Sequence, residues 1–139
     1  MAAVIDMKAM RYINLLDKVT RVKTRHCFVY NNAIFFAVNK NQMSQAIGPS
    51  ASNIRKIQES LGLRVKIIRE ANGISDAKRF VEDVVSPIEP KEIEVKEKEL
   101  IVTAGNMQNK ASLIGREKRR LEELKRIVNE NFNLDLKII

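Results

Sequence analysis

The chain has 139 residues, 45% of them hydrophobic and 30% charged, with a formal net charge of +8. These proportions suit a globular protein rather than a disordered one. The longest apolar run, Ala33 to Val38, is six residues, against the roughly 20 that a membrane helix needs. One cysteine and one histidine, Cys27 and His26, exclude an internal disulfide and a Cys/His zinc site.

The N-terminal stretch Met1 to Asp6 has no basic residue ahead of its apolar part, so it does not read as a secretory signal. The expected location is cytoplasmic, with no membrane partner. Met7 to Val19 carries apolar residues at helical spacing. His26 to Tyr30 and Ile34 to Val38 are rich in strand formers, and Asn31-Asn32 between them is a hairpin signal because Asn tolerates positive φ. Met43 to Ile47 predicts a short helix that stops at Gly48-Pro49. Ser50 or Ser52 is the expected cap of the next helix, which buries Ile54, Ile57 and Leu61 and ends at Gly62. Arg64 to Ile68 predicts a strand with Val65 and Ile67 on one face and Arg64, Lys66 and Ile68 on the other.

Asn72-Gly73 reads as a turn, and Ser75 or Asp76 as the cap of a helix through Val85 that Ser86-Pro87 stops. Ile93 to Val95 and Leu100 to Val102 predict a hairpin across Lys96 to Glu99. A short helix from Gln108 to Ile114 leads to Gly115. A longer one from Arg116 to Asn129 buries Leu121, Leu124, Ile127 and Val128, and Leu134 to Ile139 is the closing strand.

The second half thus repeats the first. Ile47-Gly48 recurs as Ile114-Gly115, 67 residues on, and the closing strands are 71 residues apart. Each half reads α-β-β-α-α-β. A half of this size buries only ~60% of its unfolded surface, so the expectation is that residues 1–71 and 72–139 fold as two domains joined in one rigid, monomeric body.

Charge is unevenly spread. Residues 1–71 hold 12 basic and four acidic groups, whereas 72–139 hold 13 of each, with the acids concentrated in 72–99. A basic excess of this kind fits a polyanion, nucleic acid before membrane. The repeated Ile-Gly between two helices fits the same partner. A glycine there leaves room for a phosphate backbone, the following helix offers N–H groups and a positive dipole end, and aliphatic side chains nearby can hold unstacked bases. That is the design of a KH module, which clamps about four nucleotides.

Ile47-Gly48 through Asn53-Ile54-Arg55-Lys56-Ile57, Leu61-Gly62, Val65-Lys66-Ile67-Ile68, and Phe80 through Ser86-Pro87 resemble the tandem KH region of the transcription elongation and termination factor NusA. The resemblance covers nearly the whole chain, whose short form is similar to the archaeal branch. It implies an α+β fold of two tandem type II KH domains, each a three-stranded sheet with helices packed on one face. It further implies a factor that binds single-stranded RNA, the nascent transcript, works with RNA polymerase, modulates elongation or termination, and needs no cofactor or catalytic residue.

The candidate RNA-binding residues of the first unit are Ile47, Gly48, Pro49, Ser50 and Ala51, then Asn53, Ile54, Arg55 and Lys56, with Arg64 and Lys66 on the strand. Those of the second are Ile114, Gly115, Arg116, Lys118, Arg119 and Arg120. The family loop is Gly-x-x-Gly, and here only the first glycine of each copy remains. Ala51 and Lys118 replace the second, Pro49 removes an N–H donor, and Glu117 brings a negative charge. Two readings follow. In one, small Ala51 permits close approach and the basic run after Gly115 restores positive charge. In the other, the loops are degenerate and the KH fold is a scaffold that docks on RNA polymerase or a ribonucleoprotein with weak RNA contact.

The remaining residues suggest no chemistry. His26 and Cys27 lack partners for nucleophilic or metal work, and Asp17, Asp76 and Asp83 lack metal-ligand spacing. Glu122 and Glu123 beside Lys125 and Arg126 read as solvated helix charges. Aromatics are 5% with no Trp, which disfavours base-stacking platforms and leaves Ile47, Ile54, Ile114 and Leu121 as the aliphatic contacts. An enzyme, such as a nuclease, has no carboxylate cluster to build on.

Overall fold

The computed structural model describes residues 7–139. They fall into two compact units that divide between Glu70 and Ala71.

The first unit runs α1 (Met7–Thr20), β1 (His26–Tyr30), β2 (Ala33–Val38), α2 (Met43–Ile47), α3 (Ser52–Leu61) and β3 (Arg64–Arg69). Its sheet has the order β1-β2-β3, with β1 antiparallel and β3 parallel to the central β2. Asn31 and Asn32 both take positive φ, 51° and 59°, so the hairpin closes with the backbone twist that two-residue turns require. The parallel return from β2 to β3 needs a crossover, which α2 and α3 supply. Leu16 of α1, Ile57 of α3, and Ile34, Phe36, Val38 and Val65 of the sheet make one core on the helix side. Ile54, Leu61 and Ile67 pack against it while remaining partly accessible.

β2 is buried on both faces. On the side away from the helices, Phe35 stacks on its cross-strand partner Phe28 with ring centres 5.2 Å apart. Lys66, its partner on the other side, sets Nζ 5.5 Å from the Phe35 ring centre.

The second unit runs α4 (Ala77–Val85), β4 (Glu92–Lys96), β5 (Glu99–Thr103), α5 (Met107–Ile114), α6 (Arg119–Phe132) and β6 (Asp135–Ile138). The sheet repeats the first: order β4-β5-β6, antiparallel then parallel. Strand alternation puts Ile93, Leu100, Val102 and Leu136 inside, where Leu113, Leu124, Ile127 and Val128 of the helices meet them in the core. Phe80 of α4 meets Phe132 of α6 edge to face at 5.5 Å, a favoured aromatic geometry. The fold is therefore α+β, with two units of identical element order, as expected of tandem KH domains.

Several local expectations need correction. α3 is capped by neither Ser50 nor Ser52. Its N-cap is Ala51, with no side-chain cap, and Ser52 is already helical. Asp76 does occupy the N-cap of α4, but its carboxylate accepts from the Asn72 N–H (2.9 Å) outside the helix. The long second-unit helix begins at Arg119 rather than Arg116 and runs three residues past Asn129 to Phe132, where Asn133 takes the left-handed cap.

Candidate nucleic-acid interface

Each unit carries the same turn between its second and third helices. Gly48 has φ 78° and ψ 165°, and Gly115 has φ 75° and ψ 173°. Two residues further on, Ser50 and Ala51 sit in the left-handed region at φ 51° and 60°, matched by Glu117 and Lys118 at 56° and 61°. The backbone path is thus repeated although the loop residues share only the first glycine. The fourth position adopts the conformation in which a glycine carries no Cβ penalty. A non-glycine residue there costs about 1–2 kcal/mol, which gives a physical reason for the second glycine of the Gly-x-x-Gly pattern.

The first glycine has an intramolecular reason beside the one read in the sequence. A Cβ on Gly48 would lie 2.9 Å from both the backbone N and the side-chain Cγ of Asn53; one on Gly115 would lie 2.5 Å from Cγ of Arg120 and 3.0 Å from its backbone N. The space is filled by the first turn of the protein's own following helix. Glycine is needed to fold the turn back onto α3 and α6.

The first loop is held by its own side chains. Asn53 Nδ2 donates to the Gln45 carbonyl at 2.9 Å, joining α3 to α2 across the turn. Arg55 donates from its guanidinium to the Ser50 carbonyl. Pro49 and Ser50 are exposed, as are the side chains of Arg55 and Lys56 one turn further on. Neither α3 nor α6 has a side-chain cap on its first turn; the Ser52 and Arg119 N–H groups donate to the Pro49 and Arg116 carbonyls, and the positive end of each helix dipole faces the turn.

In the second loop Arg116, Glu117, Lys118 and Arg119 are exposed. Arg120 is not presented in the same way. Its stem underlies Gly115, its side chain is 15% exposed, and its guanidinium is paired with Glu123. Ile47 and Ile54 in the first unit, and Ile114 and Leu121 in the second, are all half-buried beside the two turns, accessible enough to serve as apolar contacts.

Arg64 and Lys66 lie apart from the loop. Arg64 follows the C-terminus of α3, the length of a ten-residue helix away, about 15 Å at 1.5 Å per residue, and its guanidinium donates to the Asn31 carbonyl at 3.3 Å. Lys66 is on the sheet face opposite the helices, over Phe35. The basic run Lys18 to Arg25 lies outside the residues expected from the sequence. Its link to the loop passes through Gln45, whose Nε2 donates to the Thr20 carbonyl at 2.9 Å, a bond without a local sequence signal.

Among the described residues, no three His, Cys, Asp or Glu side chains group as a metal site, and no helix is long and apolar enough to cross a membrane.

Comparison with known proteins agrees with this geometry. The family model described as "KH domain" matches residues 33–82, from β2 through the first loop into α4. A protein of Halococcus morrhuae named "Probable transcription termination protein NusA" is 26% identical, covering 97% of this chain and 96% of that one. Its namesake in Halobacterium salinarum is 22% identical over 92% and 91%. The solved crystal structure of APE1850 superposes with a TM-score of 0.68 at 20% identity, covering 97% of this chain and 99% of that one, a likeness of fold. In length and fold, the chain fits a small archaeal NusA-like protein.

Proposed function

We propose that this protein binds single-stranded RNA through the turns Gly48–Ala51 and Gly115–Lys118 and acts on transcription elongation and termination by holding the nascent transcript beside RNA polymerase. The observation that carries the reading is the repeated turn. Two copies of one unusual backbone path each precede a helix whose first turn has no side-chain cap, with half-buried aliphatic residues alongside. Phosphate is suited to the helix N-terminus and exposed cations, and splayed bases to the aliphatic residues. A duplex offers its phosphates but not its base faces. The names of the relatives support a role in termination, and the excess of cations in the first half supports a polyanionic partner.

The test is RNA binding by the full chain and by the double variant Ser50→Glu/Lys118→Glu, which puts a carboxylate into each turn without touching either glycine. Affinity for a short single strand falls by about tenfold or more, with the thermal transition retained. A folded double variant with undiminished affinity would remove the turns from the interface. It would favour the scaffold reading, for which Glu117 in the second turn is the specific observation.

A further inference from the structure

Outside the loop, the strongest unexplained feature is the segment joining α1 to β1. Between Thr20 and His26 the chain reads Arg21-Val22-Lys23-Thr24-Arg25. Val22 is fully buried and Thr24 is partly buried, donating from Oγ1 to the Ala37 carbonyl, while Arg21, Lys23 and Arg25 all point to solvent. The inward residues anchor the segment, and the outward ones are all cations. None of the three forms an ion pair among the described residues. Arg21 also occupies the left-handed region at φ 64°, where glycine would be less strained.

The fold brings this segment to the end of the first unit that bears the loop. Thr24 is bonded to the end of β2, and the Glu70 N–H donates to the neighbouring Val38 carbonyl at 2.8 Å. The Thr20 carbonyl accepts from Gln45 Nε2, and the Gln45 carbonyl accepts from Asn53 Nδ2, each at 2.9 Å. Two hydrogen bonds therefore connect the root of the basic segment to the first turn of α3. Exposed Lys18 and Lys40 flank the same end, and its acidic groups are Asp17 and Glu70. The cations Lys18, Arg21, Lys23, Arg25 and Lys40 outnumber those two carboxylates, and like charges so gathered repel one another.

We infer that Arg21, Lys23 and Arg25 form a second phosphate-binding track continuous with the Gly48–Ala51 turn, so that the first unit engages a longer single strand than the turn alone can hold. This inference rests on the RNA-binding reading above and extends its site. A KH turn clamps about four nucleotides; the track takes the phosphates that follow.

The experiment compares the full-length wild type with Arg21→Gln/Lys23→Gln/Arg25→Gln on two single strands, one of about four nucleotides and one about three times as long. A control, Lys78→Gln/Lys96→Gln/Lys98→Gln, removes equal charge from the second unit. The track variant keeps its affinity for the short strand within about twofold and binds the long one about tenfold more weakly. Its salt slope on the long strand falls by about 0.7 for each phosphate it no longer neutralises. The control leaves the long-strand affinity within about twofold of wild type. Unchanged long-strand binding, an equal loss on both strands, or an equal loss in the control overturns the track. Wild-type protein that binds neither strand overturns the RNA-binding reading itself, and the track with it.

Discussion

Asn53 and Gln45 are joined by a 2.9 Å hydrogen bond from Asn53 Nδ2 to the Gln45 carbonyl, across the turn that separates their helices. The carbonyl belongs to the last turn of α2, and the amide side chain to the first turn of α3. The bond therefore fixes the angle between the helices and with it the path of Gly48 to Ala51.

Asn53→Ala removes that bond. Stability falls by about 1 kcal/mol, the net worth of a hydrogen bond of this kind, as a lower midpoint in urea. RNA affinity falls as well, although Asn53 already uses its amide within the protein. Asn53→Ala with full RNA affinity would separate the bond from the turn's function.

The turn positions have opposite requirements. Ala51→Gly and Lys118→Gly relieve left-handed backbone at φ 60° and 61°. Each stabilises by about 1 kcal/mol after the added chain entropy of glycine is set against the relief. Gly48→Ala and Gly115→Ala act the other way, since each adds a Cβ within 3.0 Å of backbone nitrogen and at positive φ. Thermal denaturation of the four variants checks the signs. Stabilisation by either alanine would mean that the turn is built differently.

Lys56 and Lys66 test the placement of the interface. Lys56 is exposed on α3 near the turn, and Lys66 lies over Phe35 on the opposite sheet face. Lys56→Gln lowers RNA affinity and reduces the salt slope by about 0.7, the value for one phosphate on a single strand. Lys66→Gln leaves the slope unchanged, and its effect appears as a small loss of stability from the ring interaction. Titration of affinity against salt for both variants decides it.

The element order and the repeat are legible in the sequence because they rest on local chemistry. Asn31-Asn32 can take the paired positive φ of a tight hairpin, Gly62 the left-handed cap of α3, and Gly48 and Gly115 the turns between helices. Alternation along Arg64 to Ile68 places Val65 inward and Lys66 outward. The interior of the turns is not legible. Nothing in Pro-Ser-Ala or Arg-Glu-Lys announces two consecutive left-handed residues, so Ser50 resembles a cap. Long-range partners are hidden for the same reason. Glu123 reads as a solvated charge, yet the fold pairs it with Arg120, which the sequence offers as one of the cations beside the second turn. Arg64 and Lys66 share a strand face by sequence, but only the crossover shows that face to be remote from the turn.

The second turn carries the one acidic residue of either copy. Glu117 is exposed beside Arg116 and Lys118, so Glu117→Gln removes a repulsion that phosphate would otherwise meet. At surface dielectric and physiological salt that is worth a gain of about twofold in RNA affinity. A loss of affinity would assign the carboxylate a direct role in holding RNA.

The proposed preference for unpaired RNA is central, because aliphatic residues beside a turn suited to phosphate can grip a base only when it is splayed out. The most direct measurement is fluorescence anisotropy of the full chain with one short RNA presented as a single strand and as its perfect duplex, at equal phosphate concentration and physiological salt. The account predicts binding to the single strand at least about tenfold tighter. Equal or tighter binding to the duplex would contradict it, leaving the positive charge as a general attractor of phosphate and the paired turns without a part in recognising RNA.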